Sequence, residues 1–337
     1  MNPAMVGAPM ESPHASPSEP FAALEPERKY LWGVCYRMTG SASDADDLVQ
    51  ETFVRALERP PKDTTEPWRP WLVRVAMNLS RDQLRRRKRR GYHGVWLPTP
   101  VEGTEALAAE AESHAADDSP EARYGLMESA SFAFLVAVEA LTPSQRAVLI
   151  LRDVFDYSSR ETAEMLDLRE EAVRTTLHRA RKAMSTYDRD KRPFSAETIR
   201  AVETTLQEIL ACIATGAAER GRALLTEGMV SLTDGGGALP AGRAPVHGPE
   251  KILRMYMKLA TRGSPDASFE IRRVNGVPAL VAEDPAPLRP NAPRVVLFID
   301  LNGAGKIRSM FTVIAPAKLG RVQWRRLGPV AAPVSRA

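Results

Sequence analysis

Apolar residues recur at helical spacing through the first part of the chain, from about residue 21 to residue 90. Acidic residues open one run at Asp44, which suits the positive end of a helix dipole, and prolines at 60 and 61 end it. A second helix is predicted from about Trp68. The positions that would face a common core are Leu48, Val49, Phe53, Ala56 and Leu57, then Leu72, Val75, Ala76 and Leu79. The pattern predicts an all-α domain over 21–90.

Another face of the second helix carries polar and aromatic side chains at offsets of three and four residues, which makes them neighbours. They are Trp71, Arg74, Asn78, Arg81 and Arg85. The helix continues into RDQLRRRKRR, residues 81–90, which holds seven positive charges. Such a run is either a solvated helix end or a polyanion contact, and its charge alone does not decide. The whole face suits single-stranded or melting DNA, although Trp68 and Trp71 could instead anchor a core.

Residues 91–120 are rich in Gly, Pro, Ala and acids without periodicity, which indicates a linker. It contains an apolar patch, Trp96-Leu-Pro-Thr-Pro100, and an exposed Trp in a tether usually docks on another surface. The charge reverses here: residues 28–90 hold fifteen Lys and Arg against eight acids, whereas residues 91–128 hold one Arg against eight acids. A basic module followed by an acidic strip indicates a polyanion partner and a spacer.

Helical patterning returns over residues 121–192. Thr142 with Gln145, and Ser158 with Glu161, have the pattern of capping boxes. The second box opens a short helix, and a turn at 167–169 leads to another. That last helix has an inner face of Ala172, Val173, Thr176, Leu177 and Ala180 and an outer face of Arg174, Thr175, His178, Arg179, Arg181 and Lys182. The arrangement predicts a helix-turn-helix whose outer face reads a DNA major groove, rather than an ordinary charged surface.

After Pro193 the pattern changes to an α+β domain, predicted over 193–316. Helical patterns span roughly 196–225 and 249–261. Strand-like runs lie at Met229–Thr233, Phe269–Val274, Ala279–Ala282, Arg294–Leu301 and Ile307–Ala315, and we expect them to form an antiparallel sheet. Asn302-Gly-Ala-Gly305 suits a hairpin turn. The flanking residues 1–20 and 317–337 are predicted to be disordered tails.

Composition narrows the class of protein. A chain of 337 residues is long enough for two or three domains, and 44% hydrophobic with 26% charged residues is globular. Cys35 and Cys212 lack metal-ligand spacing and are expected to be buried rather than paired. No apolar run approaches a membrane span, and the N-terminal residues do not resemble a signal peptide, so a cytoplasmic protein is expected.

Three segments resemble the second conserved region of extracytoplasmic-function (ECF) sigma factors: Leu31-Trp-Gly-Val-Cys-Tyr-Arg-Met38, the segment 44–57, and the segment 71–82. Leu141-Thr-Pro-Ser-Gln-Arg, with the segments 161–166 and 173–181, resembles their fourth region. The remainder resembles a SnoaL-like, cystatin-cone extension. A subgroup with this extension has a Trp-Leu-Pro linker and an Asp-Gly-Gly-Gly motif, here Trp96–Pro100 and Asp234–Gly237. The resemblance implies two all-α domains followed by an α+β domain.

The resemblance also implies roles. Asp47, Gln50 and Glu51 would bind the clamp helices of the largest RNA polymerase subunit. The melted minus-ten element would be captured by Trp71, Arg74, Asn78, Arg81 and Arg85. The minus-thirty-five element would be read by Arg174, Thr175, His178 and Arg179. Asp82 stands where many relatives carry Asn. The basic run would lie along promoter phosphates, raising affinity and salt sensitivity without specifying sequence.

In the resembling subgroup the extension regulates the sigma factor in cis. The residues implied here are Trp96, Pro98, Asp234, Gly235 and Gly236. We expect the Trp96 patch and the Asp234 loop to dock together and fix the spacing of the two DNA modules. Two departures stand out: Ala238 follows the glycines where Lys is common, and Asn275-Gly-Val-Pro278 is followed by Ala279 rather than Gly.

The leading interpretation is therefore a promoter-recognition subunit that is not an enzyme and needs no cofactor or metal. Its partners would be RNA polymerase and promoter DNA, with no membrane, and a separate anti-sigma protein would not be required. One alternative is a helix-turn-helix regulator, which leaves the first domain unexplained. Another is a ligand sensor or enzyme in the C-terminal domain. Asp234, His247 and Asp300 are its conceivable acid–base groups, although each also suits a turn or loop.

Overall fold

The structure is a computed structural model that describes residues 24–61, 67–103, 125–288 and 291–324. The predicted tail over residues 1–20 lies outside these residues. The first helical domain consists of α1 (Arg28–Thr39), α2 (Ala42–Glu58) and α3 (Arg69–Arg90), preceded by a 3-10 turn at Glu25–Glu27. Gly40 ends α1 in the left-handed conformation, and the Ser41 hydroxyl accepts from the backbone N–H of Asp44 to cap α2.

The second helical domain contains the predicted helix-turn-helix. Its elements are α4 (Leu126–Ser129), α5 (Phe132–Ala137), a 3-10 turn (Val138–Ala140), α6 (Pro143–Asp153), α7 (Ser159–Leu166), α8 (Glu170–Ala183) and α9 (Ser185–Asp190). Both predicted capping boxes are present, at the starts of α6 and α7. Asp167 ends α7 with a φ of 55°, so the chain turns sharply into α8. The helix-turn-helix prediction is confirmed.

The two helical domains share one continuous apolar core. Leu31, Phe53 and Leu72 of the first domain and Leu149 and Leu166 of the second belong to the same buried cluster. The sequence suggested two helical modules separated by a linker, whereas in the structure the two helical domains pack directly against each other. Residues 97–101 of the predicted linker are buried: Leu97 packs in the apolar cluster on the sheet, and Val101 belongs to the core of the helical domains. Residues 104–120 of that linker lie outside the described residues.

The C-terminal domain is a six-stranded sheet with helices on one face, as the fold-class prediction required. Its elements are α10 (Ala196–Thr215), α11 (Ala218–Ala223), β1 (Leu225–Asp234), β2 (Val246–His247), α12 (Pro249–Ala260), β3 (Ser268–Val274), β4 (Val277–Glu283), β5 (Arg294–Leu301) and β6 (Ile307–Val313). The strand order is β2-β1-β6-β5-β4-β3. The purely antiparallel prediction was wrong for one pair, since β1 and β6 run parallel. Consecutive strands of a hairpin must be antiparallel, but β1 reaches β6 through a long connection that leaves direction free.

The two faces of the sheet bury different partners. One face packs on α10 and α12 through an apolar core that includes Leu206, Ile252 and Met310. The opposite face packs on the helical domains, where the Phe132 ring of α5 stacks on Phe298 with centroids 4.0 Å apart. Because alternate residues of a strand point to opposite faces, β5 contributes side chains to both apolar cores. The sheet therefore joins its own helices to the helical domains.

The segment after β6 corrects a prediction. Residues 317–324 were expected to belong to a disordered tail, yet Pro316–Lys318 form a 3-10 turn, and Leu319 and Val322 are buried. Their apolar side chains cover the same sheet face that Phe132 covers, and this burial fixes the segment. Residues 325–337 lie outside the described part of the chain.

Two smaller expectations can also be checked. Cys35 and Cys212 are buried free thiols, as predicted, and burial raises the pKa of Cys35 to about 12. In the described part of the chain, no helix has the length and apolar character needed to span a bilayer.

Candidate nucleic-acid interface

The outer face of α8 is open to solvent. Its four predicted base-reading residues, Arg174, Thr175, His178 and Arg179, are all exposed, while Val173, Leu177 and Ala180 are buried beneath them. Arg174 pairs with Glu170 at 3.0 Å, but both side chains are largely exposed. Such exposed pairs contribute about 1 kcal/mol or less to stability. The face is therefore available to a major groove without rearrangement.

The predicted single-strand face of α3 is only partly open. Arg74 and Arg85 are exposed, whereas Trp71, Asn78 and Arg81 are half-buried. Trp71 packs on the apolar core, as the core-anchor alternative proposed. Arg81 donates to the Asn78 side-chain oxygen at 3.2 Å, and burial followed by repulsion from Arg85 lowers its pKa.

The helix-turn-helix covers part of this face. The Arg81 guanidinium lies 3.5 Å from the backbone oxygen of Leu166 in α7. Tyr30 and Tyr157, whose hydroxyls lie 3.1 Å apart, make a further contact between the two helical domains near Arg69, at the start of α3. The Nε atom of Arg81 is buried without a hydrogen-bond partner. A buried donor without an acceptor costs about 1–3 kcal/mol. The α3 face is therefore partly covered at Arg81, whose guanidinium is incompletely hydrogen-bonded.

The predicted polymerase-binding residues form a separate surface on α2. Asp47, Gln50 and Glu51 are exposed on one side of that helix. The same side continues into Val54 and Leu57, which are 47% and 42% exposed. The sequence pattern assigned Leu57 to a core, so this exposure is a correction. Large apolar side chains next to carboxylates form a surface suited to a partner protein.

The Asp234 loop docks on the Trp96 segment. The buried Asp234 carboxylate accepts from the Tyr92 hydroxyl at 2.7 Å, from Leu97 N–H at 2.9 Å and from Gly236 N–H at 2.9 Å. Its fourth donor is the Lys318 ammonium at 2.7 Å. The Lys that is common after the glycines is Ala238 in this chain, so the carboxylate takes its cation from the segment after β6 instead.

Close packing explains the glycines around this contact. Gly236 has a φ of 63°, and a Cβ there would lie 2.9 Å from the Cβ of Ala315. Gly40 has a φ of 65°, and a Cβ there would lie 2.6 Å from the Trp96 ring. Pro98 and Gly235 are buried in the same region. The conformation and the space both require glycine at 40 and 236.

A second junction ties all parts of the chain to one amide. The Asn275 side chain donates to the Tyr36 hydroxyl at 2.7 Å and to the Ala130 oxygen at 3.0 Å, and accepts from Val101 N–H at 3.0 Å. Tyr36 in turn donates to the Thr99 oxygen at 2.6 Å. These residues come from α1, the linker, the second helical domain and the β3–β4 turn. The amide is fully satisfied only when all four parts are assembled.

The conceivable acid–base groups of the C-terminal domain do not converge. Asp234 is engaged by its four donors, His247 is exposed on β2, and Asp300 pairs with Arg308 at 2.6 Å. An apolar cluster that includes Leu206, Ile252 and Met310 lies between the sheet and its helices. Among the described residues, no group of three or more His, Cys, Asp or Glu could hold a metal ion.

Several residues at these junctions were missed by sequence reasoning. Arg37 donates to Ser129 at 2.7 Å, and Arg146 donates to the Met38 oxygen at 2.9 Å. Both arginines are buried and lie on the inner faces of apolar helices. An arginine on an otherwise apolar helix face could have indicated a buried, hydrogen-bonded side chain. Asn275 carried a turn signal only, and Lys318 carried none, because its partner lies 84 positions away.

Comparisons with known proteins agree with this architecture. A family model described as Sigma-70 region 2 matches residues 24–90, and one described as Sigma-70, region 4 matches residues 131–184. The ECF RNA polymerase sigma factor SigJ of Mycobacterium tuberculosis is 31% identical over 306 residues, which cover 88% of this chain and 91% of the relative. SigW of Bacillus subtilis is 30% identical over 48% of this chain and 83% of its own. The crystal structure of M. tuberculosis SigJ superposes with a TM-score of 0.67 at 27% identity, covering 89% of this chain and 98% of that one.

Proposed function

Because the chain belongs to the ECF RNA polymerase sigma factors, which direct promoter recognition and transcription initiation, we propose specific roles for its three surfaces. The exposed side of α2 at Asp47, Gln50 and Glu51 binds the clamp helices of the largest polymerase subunit. The α3 face captures the melted minus-ten element, and the outer face of α8 reads the minus-thirty-five element. The protein acts with polymerase in the cytoplasm and has no catalytic activity of its own.

We further propose that the structure represents a closed state. The two promoter elements lie some 25 base pairs apart, which is roughly 85 Å of duplex at about 3.4 Å per base pair. One chain can grip both only if α3 and α8 separate. The observation that supports this proposal is the contact of Arg81 with the backbone oxygen of Leu166. This contact places α7 over part of the minus-ten face. Opening must break this contact before DNA can enter.

The C-terminal domain regulates this opening in cis. Its two polar junctions, centred on Asn275 and Asp234, hold the linker against both the sheet and the helical domains. Ligands shift a conformational equilibrium only through differential contacts with the two states. Promoter DNA gains such contacts at the covered part of the α3 face when the domains separate. The C-terminal domain thus sets the free energy that must be supplied to open the protein.

Run-off transcription with bacterial core RNA polymerase and the full-length chain tests the function. Templates are selected from a randomised promoter library. Arg174→Ala should reduce initiation by about 5- to 150-fold at selected promoters and relax specificity at one position. Arg254→Ala, an exposed arginine of α12 in the C-terminal domain, is the matched control and should have no effect.

Cutting the chain after Arg192 is a poorer test, since it would expose Phe132 and Leu97 to water. A substitution that weakens the Asn275 junction opens the closed state without removing the domain. If neither the full chain nor such a variant directs polymerase to start at any template, the proposed function is wrong.

A further inference from the structure

The ammonium of Lys318 sits in a closed polar and aromatic cage. Its Nζ lies 2.7 Å from a carboxylate oxygen of Asp234, 4.2 Å from the centroid of the Trp96 ring and 4.8 Å from that of Tyr92. It also donates to the backbone oxygen of Leu97. Only 12% of its side chain is exposed, and none of the Asp234 side chain is. One cation therefore contacts both the Asp234 loop and the Trp96 segment.

The backbone delivers this lysine from a fixed position. The N–H groups of Ile314 and Ala315 both donate to the backbone carbonyl oxygen of Asp234, at 2.9 and 3.0 Å. The segment that carries Lys318 therefore begins beside Asp234. Leu319, the next residue after the lysine, is buried against the sheet. The residues on both sides of Lys318 are therefore held in place, and they fix the position of its side chain.

We propose that Lys318 is a positioning residue for cis regulation: its charge neutralises buried Asp234 and thereby lets the Asp234 loop hold the Trp96 segment between the helical domains. This inference rests on the proposed function for its biological meaning, but the structural coupling can be measured separately. The physical reason is that a buried carboxylate is tolerated only when paired and hydrogen-bonded. Without the lysine, the loop would favour a state in which Asp234 meets water.

The test measures closure by energy transfer in the full-length protein. Glu58→Cys on α2 and Leu288→Cys after β4 place dyes at exposed sites, since Cys35 and Cys212 are buried. Lys318→Met should lower the closed:open ratio by about a hundredfold or more, because it strands a buried carboxylate. The neutral pair Lys318→Met with Asp234→Asn should recover most of the closure.

Arg321→Met is the matched control from the same segment. Arg321 pairs with Asp46 of α2, but the two side chains are 49% and 40% exposed, so the ratio should change by about fivefold at most. Unchanged transfer in Lys318→Met would overturn the inference. So would a double variant that stays as open as the single one, since this result would mean that charge neutralisation is not what the lysine provides.

The two proposals fail in different ways. Should transfer respond as described while no variant supports run-off transcription, the proposed function falls and the role of Lys318 in closure stands. If Lys318→Met alone fails to fold, the neutral double variant still decides, because it leaves no stranded charge.

Discussion

The Asn275 junction offers a sharp test of the closed state, because one side chain joins four parts of the chain. Asn275 has a φ of 52°, in the left-handed region, so substitution by Ala would add backbone strain. Asn275→Gly avoids this complication, since glycine adopts positive φ freely. The variant keeps the backbone hydrogen bond from residue 275 to the Val101 oxygen at 2.8 Å and removes only the side-chain amide.

The magnitude follows from the three hydrogen bonds that disappear. Each is worth about 1 kcal/mol net, which gives about 3 kcal/mol. Val101 N–H and the Ala130 oxygen are then left in a buried site, where an unsatisfied group costs about 1–3 kcal/mol. Tyr36 keeps its bond to the Thr99 oxygen and loses less. At about 1.4 kcal/mol per tenfold, the closed:open ratio should fall by at least about a hundredfold.

Energy transfer between dyes on α2 and after β4 measures that ratio, and run-off transcription measures its consequence. Transfer should fall, and initiation at limiting protein should rise until the closed state no longer dominates. Asn302→Gly is the control, because the Asn302 side chain serves only the exposed β5–β6 hairpin, accepting from Ala304 and Lys306. Equal effects of the two glycine variants on transfer and initiation would refute the reasoning.

Three further outcomes are expected. Gly40→Ala should lower the melting temperature measured by circular dichroism, since left-handed alanine costs about 1–2 kcal/mol and its Cβ collides with Trp96. Arg85→Ala, at an exposed position of the minus-ten face, should reduce the salt slope of promoter binding by about 0.7–0.9, measured by fluorescence anisotropy. Glu51→Arg should weaken co-purification with core polymerase, whereas Glu197→Arg on α10 should leave it unchanged.

Elements governed by local chemistry could be predicted from the sequence. The capping boxes at Thr142 and Ser158 fixed the starts of α6 and α7, and both depend on residues three positions apart. The outer face of α8 followed from helical periodicity alone. Five of the six strands were also located, because alternation and turn residues act within a few positions, whereas the two-residue β2 (Val246–His247) was missed.

What could not be predicted depends on partners far along the chain. The parallel pairing of β1 with β6 is chosen by the sheet as a whole, and no residue of either strand encodes it. Lys318 was assigned to a disordered tail because its stretch is short, basic and flanked by proline. The shared core of the helical domains was missed because an apolar helix face does not reveal which other face it will meet. Among the regulatory contacts, the docking of the Asp234 loop on the Trp96 segment was expected from the resemblance, whereas the contacts of Asn275 and Lys318 are of this second kind.

The closed state also explains how one chain can be both stable and ready to open. Its domains share an apolar core that includes Leu72 and Leu149, so separation exposes apolar surface and is unfavourable for the free protein. Yet Arg81 is left with a buried, unpartnered Nε, and promoter phosphates would supply the missing acceptor. DNA thus binds better to the open form than to the closed form at the residue that closure leaves unsatisfied. That difference in contact is the free energy that DNA supplies for opening, and the Asn275 and Asp234 junctions determine how much of it is required.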